Sequence, residues 1–372
     1  MAVLPDGFDL ETLLAPIAGE SPVGADLRQD FSAQSLYYRL RDARAEARAA
    51  ERAVDAADPN ADQALAPQRW RSVREMALKV LAEKSKDLEV AAWLTEALVR
   101  GEGLVGLTAG ASLMAGLADT YWDALLPLPD EDGMPTRVAP VTGLNGEGAD
   151  GTLMQPLRKI ALCDAADGSA FALWQYEQSE ELSGIGDAKR KEARLKAGVV
   201  PFEEADKWMR TAPPANLARL RRTAREALAA WVAMGETLDG RAGADAPPTS
   251  RVREVVEKIL AVVGKFAPPE VVEVEEPAAE EAGAAEADAG PAAGGAAVGP
   301  AATRGATRED MLRQLAEIAA FFRRSEPNSP LSYTLEEAIR RGRMSWPELL
   351  AELMPDEGVR RGVLTSLGIR TE

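Results

Sequence analysis

Histidine is absent from the 372-residue chain, and cysteine occurs once, as Cys163. Without histidine the chain has neither the commonest general base nor the commonest metal ligand, so we expect no catalytic, metal or cofactor site. A single cysteine cannot form a disulfide within the chain, which fits a reducing compartment. Because no basic residue lies close to Cys163 in sequence, we interpret it as a buried structural thiol.

Long apolar runs and an excess of basic charge are also missing. No stretch approaches the roughly 20 apolar residues that span a bilayer. The N-terminal residues include Asp6, Asp9 and Glu11, where a signal peptide has basic residues. The formal net charge of −17 disfavours nucleic acid and anionic membrane surfaces as partners. The sequence therefore predicts a cytoplasmic protein without nucleic-acid partners or direct membrane insertion.

Alanine is abundant, whereas aromatic residues make up only 5% of the chain, a composition that favours helices. Apolar residues recur at helical spacing through residues 1–265, which predicts a multi-helix N-terminal region with a sub-boundary near 165–200. Asp87 is expected to cap one helix, which Gly101 and Gly103 then end. Helices are expected at residues 34–52, 70–81, 88–100, 104–125, 202–210, 216–238 and 251–263.

Three other segments of this region lack a clear helical period. The prolines and glycines of residues 129–151 predict a loop. Residues 152–163 could form a strand or a helix, and residues 184–196 a polar connection or an exposed helix. The seven tryptophans are spread along the chain, and we expect most of them in the core.

The composition changes sharply at residues 266–306, which are rich in Ala, Gly, Pro and Glu. From Pro268 to the end, this stretch contains eight acidic residues and one basic residue, Arg304, with too few large apolar residues for a core. We interpret it as a disordered acidic tether, with a binding role for residues 271–276 as the alternative. Residues 307–372 are expected to form a small helical domain that gains buried apolar area by self-association. The predicted fold class is therefore all-α or mainly α.

Two features of the predicted C-terminal domain are specific. The sequence SEPNSP at residues 325–330 contains two prolines, which predicts either a rigid turn between helices or a turn shaped to meet another subunit. Three arginines lie close to Glu336 and Glu337 in sequence. They predict a surface salt-bridge network or an interface with an acidic partner, and they are Arg340, Arg341 and Arg343.

Two patterns resemble chemical sites but have simpler structural explanations. The glycine-rich residues 101–110 lack the Lys-Ser/Thr pair of a phosphate-binding loop, and helix capping and close helix packing explain them. A second pattern is a group of carboxylates whose spacing matches no calcium loop, so a solvated acidic turn explains it. This group consists of Asp130, Glu131, Asp132 and Asp150.

Three blocks of sequence together resemble the ImpA-related TssA proteins of bacterial type VI secretion systems. The first is PIAGESPVGADLR at residues 16–28. The second is KSKDLEVAAWLTEALVRGEGLVGLTAGASLMAGLADTYWDALLPLPDED at residues 84–132, continued by LNGEGADGTLMQPLR at residues 144–158. The third is FFRRSEPNSPLSYTLEEAIRRGRMSWPELLAEL at residues 321–353. The EPNSP turn and the short tail are similar to the subgroup with a short-form C-terminal domain.

The resemblance implies a non-enzymatic scaffold that assists baseplate assembly and polymerisation of the tail tube and sheath as a ring-like homo-oligomer. The implied partners are further copies of the chain and baseplate, tube, sheath and membrane-complex proteins, with the scaffold associated with the complex docked at the inner membrane. The implied N-terminal motif residues are Pro16, Gly19, Pro22, Gly24, Asp26, Leu27, Arg28, Asp87, Trp93, Tyr121 and Trp122. The implied oligomer or partner contacts are Phe322, Arg324, Glu326, Pro327, Ser329, Pro330 and Trp346.

Two other hypotheses stay open at the level of sequence. The chain could be a monomeric adaptor with two binding modules joined by the tether, which a size measurement of the full-length protein would distinguish from a ring. It could also be a metal-binding enzyme that acts through Asp130, Asp132 and Asp150. Only the clustering of these carboxylates motivates the enzyme, and a metal titration tests it.

Overall fold

The computed structural model of the chain describes residues 4–32, 34–56, 62–131, 133–268, 308–325, 331–344, 349 and 352. The chain divides into two compact units, Met1–Glu276 and Pro277–Glu372. The described residues contain thirteen α-helices and one two-stranded sheet, so the mainly-α prediction is confirmed. Most of the predicted tether, from residue 269 onward, lies outside the described residues. The predicted domain boundaries stay predictions.

The described part of the first unit is built from eleven helices and two strands. In chain order the helices are α1 Leu10–Leu14, α2 Leu36–Asp55, α3 Leu65–Glu83, α4 Leu88–Tyr121, α5 Met134–Asn145, α6 Met154–Arg158, α7 Leu173–Ser183, α8 Ala188–Lys196, α9 Phe202–Thr211, α10 Pro214–Ala242 and α11 Ser250–Gly264. Short 3-10 helices occur at Leu27–Gln29 and Gly243–Asp245. The strands are β1 Ala161–Asp164 and β2 Ala170–Ala172. None of the described helices is long and apolar enough to cross a membrane.

The helix α4 lies at the centre of the first unit and packs against α1, α3, α5 and α10. Its sequence is apolar on every side and most of its residues are buried, as expected of a core helix. Asp87 caps it as predicted, because its carboxylate accepts hydrogen bonds from the backbone N–H groups of Glu89 and Val90. Gly103 interrupts it with φ +58°, a conformation that favours glycine. The predicted stop is therefore a local break, and residues 101–110 belong to a helix.

The loop predicted for residues 129–151 is wrong, because most of this segment is the helix α5. Gly133 precedes the helix, and Pro135 lies in its first turn, where the missing N–H of proline is harmless. Three buried side chains, Val138, Val141 and Leu144, form the apolar stripe that holds the helix against the core. Proline and glycine thus hide the helical spacing of these apolar residues in the sequence, and packing against α4 stabilises the helix.

Residues 152–163, which could have been strand or helix, contain both α6 and β1. β1 pairs with β2 in antiparallel orientation, with Cys163 opposite Phe171. The helix α7 begins directly after β2 and is not among the predicted helices, although Leu173, Tyr176 and Leu182 give it a buried face. The polar segment 184–196 contains the exposed helix α8, which has no buried residue.

The described part of the second unit consists of two helices, α12 Arg308–Ser325 and α13 Leu331–Arg343. They pack against each other, with Ala319 and Ile339 buried. Gly342 is part of this contact, because a Cβ at its position would lie 3.0 Å from Leu312 Cδ2. The rest of the predicted C-terminal domain, from residue 345 onward, lies almost entirely outside the described residues.

Candidate interaction site

Residues 16–28 run alongside the connection between α3 and α4. The backbone N–H of Lys86 donates to the carbonyl oxygen of Val23 at 2.8 Å, and the N–H of Ala25 donates to that of Lys84 at 3.2 Å. Gly24 has φ +73°, and a Cβ at its position would lie 2.1 Å from the Lys84 carbonyl oxygen. Only glycine fits such a close approach. The predicted motif residue Gly24 therefore contributes to the fold.

Arg28 is the centre of a charge cluster at the start of α4. Its guanidinium lies 2.6 Å from a carboxylate oxygen of Asp87 and 2.6 Å from one of Glu89, and 4.8 Å from the centre of the Tyr37 ring. Burial opposes the charged form of Arg28, but the hydrogen bonds and charges of Asp87 and Glu89 outweigh it and raise the pKa. Burial and then the charge of Glu89 raise the pKa of Tyr37 to about 12, and its hydroxyl donates to Glu89 at 2.9 Å.

Trp93 lies beside this cluster and is 5% exposed. Its ring is 5.4 Å from that of Tyr37, and the guanidinium of Arg44 lies over it at 5.5 Å. Arg44 in turn lies 2.6 Å from a carboxylate oxygen of Glu96, which is itself buried. These residues line a cleft of about 500 Å³ between α2, α4 and α5. We call it the motif groove, defined by Arg28, Tyr37, Arg44, Glu89, Trp93 and Glu96.

Tyr121 and Trp122, at the end of α4, hold neighbouring segments in place. The Tyr121 hydroxyl donates to the carbonyl oxygen of Leu14 at 2.7 Å, which fixes the end of α1. The carbonyl oxygen of Trp122 accepts a hydrogen bond from the Arg137 guanidinium at 2.7 Å, and that guanidinium lies 5.1 Å from the Trp122 ring. Both aromatic side chains are nearly buried, so they brace α1 and α5 rather than face a partner.

The remaining predicted N-terminal residues lie on or near a surface turn. Pro16, Gly19 and Pro22 are exposed, and Leu27 is half-buried against the core. The carboxylate of Asp26 accepts from the backbone N–H of Arg28 at 3.1 Å and so caps the short 3-10 helix. The structure therefore brings Asp26, Arg28, Asp87 and Trp93 together, while Tyr121 and Trp122 support other contacts.

Sequence reasoning missed several residues of this site because their partners are distant in the chain. Tyr37, Arg44, Glu89 and Glu96 lie on α2 and α4, about 50 residues apart, with no local spacing that links them. Lys86 was also missed, although it is fully buried. Its ammonium donates to the carbonyl oxygens of Leu13 and Leu81 at 2.7 and 2.8 Å, and burial lowers its pKa to about 8.

The carboxylates that motivated an enzyme have separate protein partners. One oxygen of Asp130 accepts from the Thr136 hydroxyl at 2.6 Å. Asp150 lies 3.4 Å from Arg158 and 3.6 Å from Arg251. Asp132 lies outside the described residues, and among the described ones no group of three or more acidic or cysteine side chains could hold a metal ion.

Cys163 on β1 is half-buried rather than fully buried. Burial and then the neighbouring charge of Asp164 raise the pKa of its thiol to about 11. At neutral pH the thiol is therefore protonated, which fits the predicted structural role, since the thiolate is the reactive form.

The described part of the second unit contains two of the predicted interface residues. Phe322 is half-buried and meets the Phe321 ring edge-on at 5.6 Å, and Arg324 is exposed. Among the described side chains of α12 and α13, three large apolar ones are exposed: Ile318, Phe321 and Tyr333. Five further interface residues lie outside the described residues, namely Glu326, Pro327, Ser329, Pro330 and Trp346.

The salt-bridge network predicted for α13 is present. Arg340 pairs with Glu337 at 2.7 Å and with Glu352 at 2.6 Å, and Arg341 lies 3.0 Å from Glu352. Hydrogen bonds from Arg340, aided by the charges of both arginines, lower the pKa of Glu337 to about 2. Because all these groups are exposed, solvent screens their interaction and the network adds little stability.

The segments that form the motif groove coincide with a known family region. The sequence model described as "ImpA, N-terminal, type VI secretion system" matches residues 14–146. The type VI secretion system component TssA1 of Pseudomonas aeruginosa is 29% identical over 353 residues, which cover 94% of this chain and 96% of that protein. Residues 14–146 therefore form an ImpA N-terminal region of the type VI secretion kind, and over nearly its whole length the chain is similar to a TssA protein.

A solved structure agrees with this similarity to TssA proteins. It is the N-terminal domain, including the conserved ImpA_N region, of the TssA component of the type VI secretion system from Burkholderia cenocepacia. The two chains are 29% identical with a TM-score of 0.57, covering 71% of this chain and 97% of that one. The chain is thus a TssA-type component of type VI secretion, and its named relatives are secretion components rather than enzymes.

Proposed function

We propose that this TssA-family chain is a non-enzymatic scaffold of the type VI secretion machine, working in the bacterial cytoplasm as a homo-oligomeric ring. In this proposal the second unit, of the short-form type, joins the copies. The first unit recruits baseplate, tube, sheath and membrane-complex proteins for baseplate assembly and for growth of the tube and sheath. The residues between the units act as the tether, which lets several first units engage partners at raised effective concentration.

The observation that carries self-association is the apolar surface of the second unit. Ile318, Phe321 and Tyr333 are 45%, 58% and 60% exposed, although they lie on helices that already share a small core. Ile318 and Phe321 are three residues apart and therefore lie on the same side of α12. Burying such side chains between copies stabilises an oligomer by about 25 cal/mol per Å² of apolar area, and a domain of this size has few other sources of stability.

Light scattering on the full-length protein tests the ring. We expect the wild type to be oligomeric at micromolar concentration and Ile318→Asp to reduce the mass toward that of one chain. Ala316→Asp is the matched control, because Ala316 is exposed on the other side of the same helix and the substitution adds the same charge. A wild type of single-chain mass would replace the ring by the monomeric two-module adaptor.

The proposed recruiting surface of the first unit is the motif groove together with the exposed turn at Pro16, Gly19 and Pro22. Pro16, Gly19 and Pro22 are exposed, and the half-buried groups of the motif groove form its accessible edge, namely Arg28, Tyr37, Arg44 and Glu89. The other motif residues are engaged in the fold. Capture of type VI components from a lysate should therefore decrease when Pro16 and Pro22 are changed to alanine, with oligomeric mass unchanged.

Deletion of residues 270–300 tests the tether. It should impair secretion while both units stay folded.

A further inference from the structure

A second charged groove on the first unit has no part in the proposed contacts. Two adjoining clefts of about 550 and 620 Å³ lie among α2, α3, α4 and α6, and Glu51, Arg100 and Lys159 line both of them. We call the pair the arginine groove. Its defining residues are Arg48, Arg52, Arg71, Arg100, Lys159 and the exposed Trp174 at the start of α7.

The arginine groove is basic although the chain is acidic. Seven basic and four acidic side chains line the two clefts, in a chain whose net charge is −17. An isolated basic surface on an acidic protein attracts anionic ligands. The groove is therefore a site of charge complementarity for an acidic partner.

Each acidic side chain of the arginine groove already has a basic partner. Glu51 lies 2.9 Å from Arg100, Glu102 lies 3.2 Å from Arg74, and Asp150 lies 3.4 Å from Arg158. Asp55 pairs with Lys159. Three arginines are left that form no ion pair with any described residue, and they are Arg48, Arg52 and Arg71.

The unpaired arginines include one that is crowded by like charge. Arg48 is half-buried on α2 between Arg44, Arg52 and Arg100. Burial, and further the charges of these arginines, lower its pKa against the opposing effect of Glu96. A bound anion would relieve this repulsion and supply the hydrogen-bond acceptors that the guanidinium groups lack.

The spacing of these groups indicates the shape of the ligand. Arg48 and Arg52 are four residues apart on one face of α2, which places them about 6 Å apart along the helix axis. Alternate side chains of an extended peptide lie about 6.6–7 Å apart on one face. The intervening side chains can pack on Trp174, which is 40% exposed and lines the same cleft.

We propose that the arginine groove binds an extended acidic segment of a partner protein, in which carboxylates alternate with apolar side chains. This inference rests on the proposed function, since it adds a partner-binding surface to the recruiting unit. The four paired carboxylates interrupt the basic surface of the groove, so it suits a peptide that places its charges at intervals better than the continuous phosphates of a nucleic acid.

Fluorescence anisotropy with the full-length protein tests the proposal. The probe is a labelled twelve-residue peptide that alternates Glu and Val, and the comparison peptides carry Lys in place of Glu or the same residues in pairs. We expect binding of the alternating acidic peptide to weaken about tenfold or more in Arg48→Ala/Arg52→Ala, and less in Trp174→Ala. Binding should also weaken with added salt.

Two control variants make the result specific. Arg39→Ala removes the same charge from the same helix, but Arg39 is exposed and nine residues from Arg48, on the opposite face. It should leave the affinity unchanged. Arg71→Ala removes an unpaired arginine from α3 instead of α2, so it reports on the groove even if the double variant fails to fold.

Several outcomes would overturn the proposal. Equal binding of the alternating peptide by the wild type and the double variant would show that Arg48 and Arg52 do not bind it. Equal binding of the paired-order peptide would show that the groove does not select for alternating charges. Tighter binding of a twelve-nucleotide single strand would assign it to nucleic acid. Binding that appears only after Glu273→Gln/Glu275→Gln would assign the groove to the chain's own acidic stretch. Failure of the ring proposal is a separate result, because light scattering would show a single-chain mass whether or not the peptide binds.

Discussion

The helix α2 contributes arginines to two grooves, and within the described part of the chain these arginines are paired with carboxylates in one groove and unpaired in the other. In the motif groove Arg44 is paired with Glu96, and across the groove Arg28 is paired with Asp87 and Glu89. In the arginine groove Arg48 and Arg52, one and two turns further along α2, form no ion pair with a described residue. Arginine therefore joins helices through ion pairs in the motif groove, whereas in the arginine groove Arg48 and Arg52 have no carboxylate partner among the described residues.

Burial explains why the paired arginines matter for folding. The side chains of Asp87 and Glu96 are 2% and 1% exposed, so each would lose its hydration without a cation to replace it. Removal of one partner from a buried pair leaves an uncompensated charge, whereas removal of an exposed charge leaves water in its place. The two grooves should consequently differ in how much stability a single arginine contributes.

The largest effect is expected for Arg28→Ala. It leaves Asp87 and Glu89 without their cation, and we expect the free energy of unfolding to fall by about 3 kcal/mol. Urea unfolding followed by tryptophan fluorescence measures this, because six of the seven tryptophans lie in the first unit. The exposed Arg39→Ala is the control and should change stability by less than about 0.5 kcal/mol. A loss below about 1 kcal/mol for Arg28→Ala would remove the distinction between the grooves.

A smaller effect is expected from Lys86, a buried cation that carbonyl oxygens satisfy without any carboxylate. Its pKa is about 8 in the folded protein and 10.5 ordinarily. Between these values the unfolded chain holds more protons than the folded one, so the free energy of unfolding rises with pH. From pH 8 to pH 9 the rise should be about 1 kcal/mol.

Lys86→Met should lack this rise between pH 8 and pH 9 and should be less stable at both values, because two carbonyl oxygens lose their donor. The window ends near pH 9, since the raised pKa values of Cys163 and Tyr37 lower stability at higher pH. An identical pH profile for wild type and variant would show that Lys86 keeps its ordinary pKa. The two carbonyl oxygens would then keep the Lys86 ammonium charged as well as a carboxylate partner would.

The sequence predicts the helices that have a regular apolar period, such as α3 and α11, because periodicity is a local property. It fails for α5, where Pro135, Pro140 and Gly143 hide the stripe that packs on the core. It also predicts the family through blocks of residues, several of which prove to serve the fold. Gly24 and Arg28 meet residues about 60 positions away. Such contacts depend on tertiary packing, so only the folded chain separates structural motif residues from accessible ones.

The smallest effect on stability is expected where the proposed effect on binding is greatest, in Arg48→Ala/Arg52→Ala. The change breaks no ion pair among the described residues, and although Arg48 loses the attraction of Glu96, its repulsion from Arg44 and Arg100 is relieved. We therefore expect the free energy of unfolding to stay within about 0.5 kcal/mol of the wild type or to rise slightly. Urea unfolding at low and at high salt measures the change in the free energy of unfolding and the part of it that comes from repulsion. Salt screens the repulsion and should remove any gain in stability. A loss comparable with that of Arg28→Ala would mean that these arginines join helices as well, and the two grooves would then differ only in position.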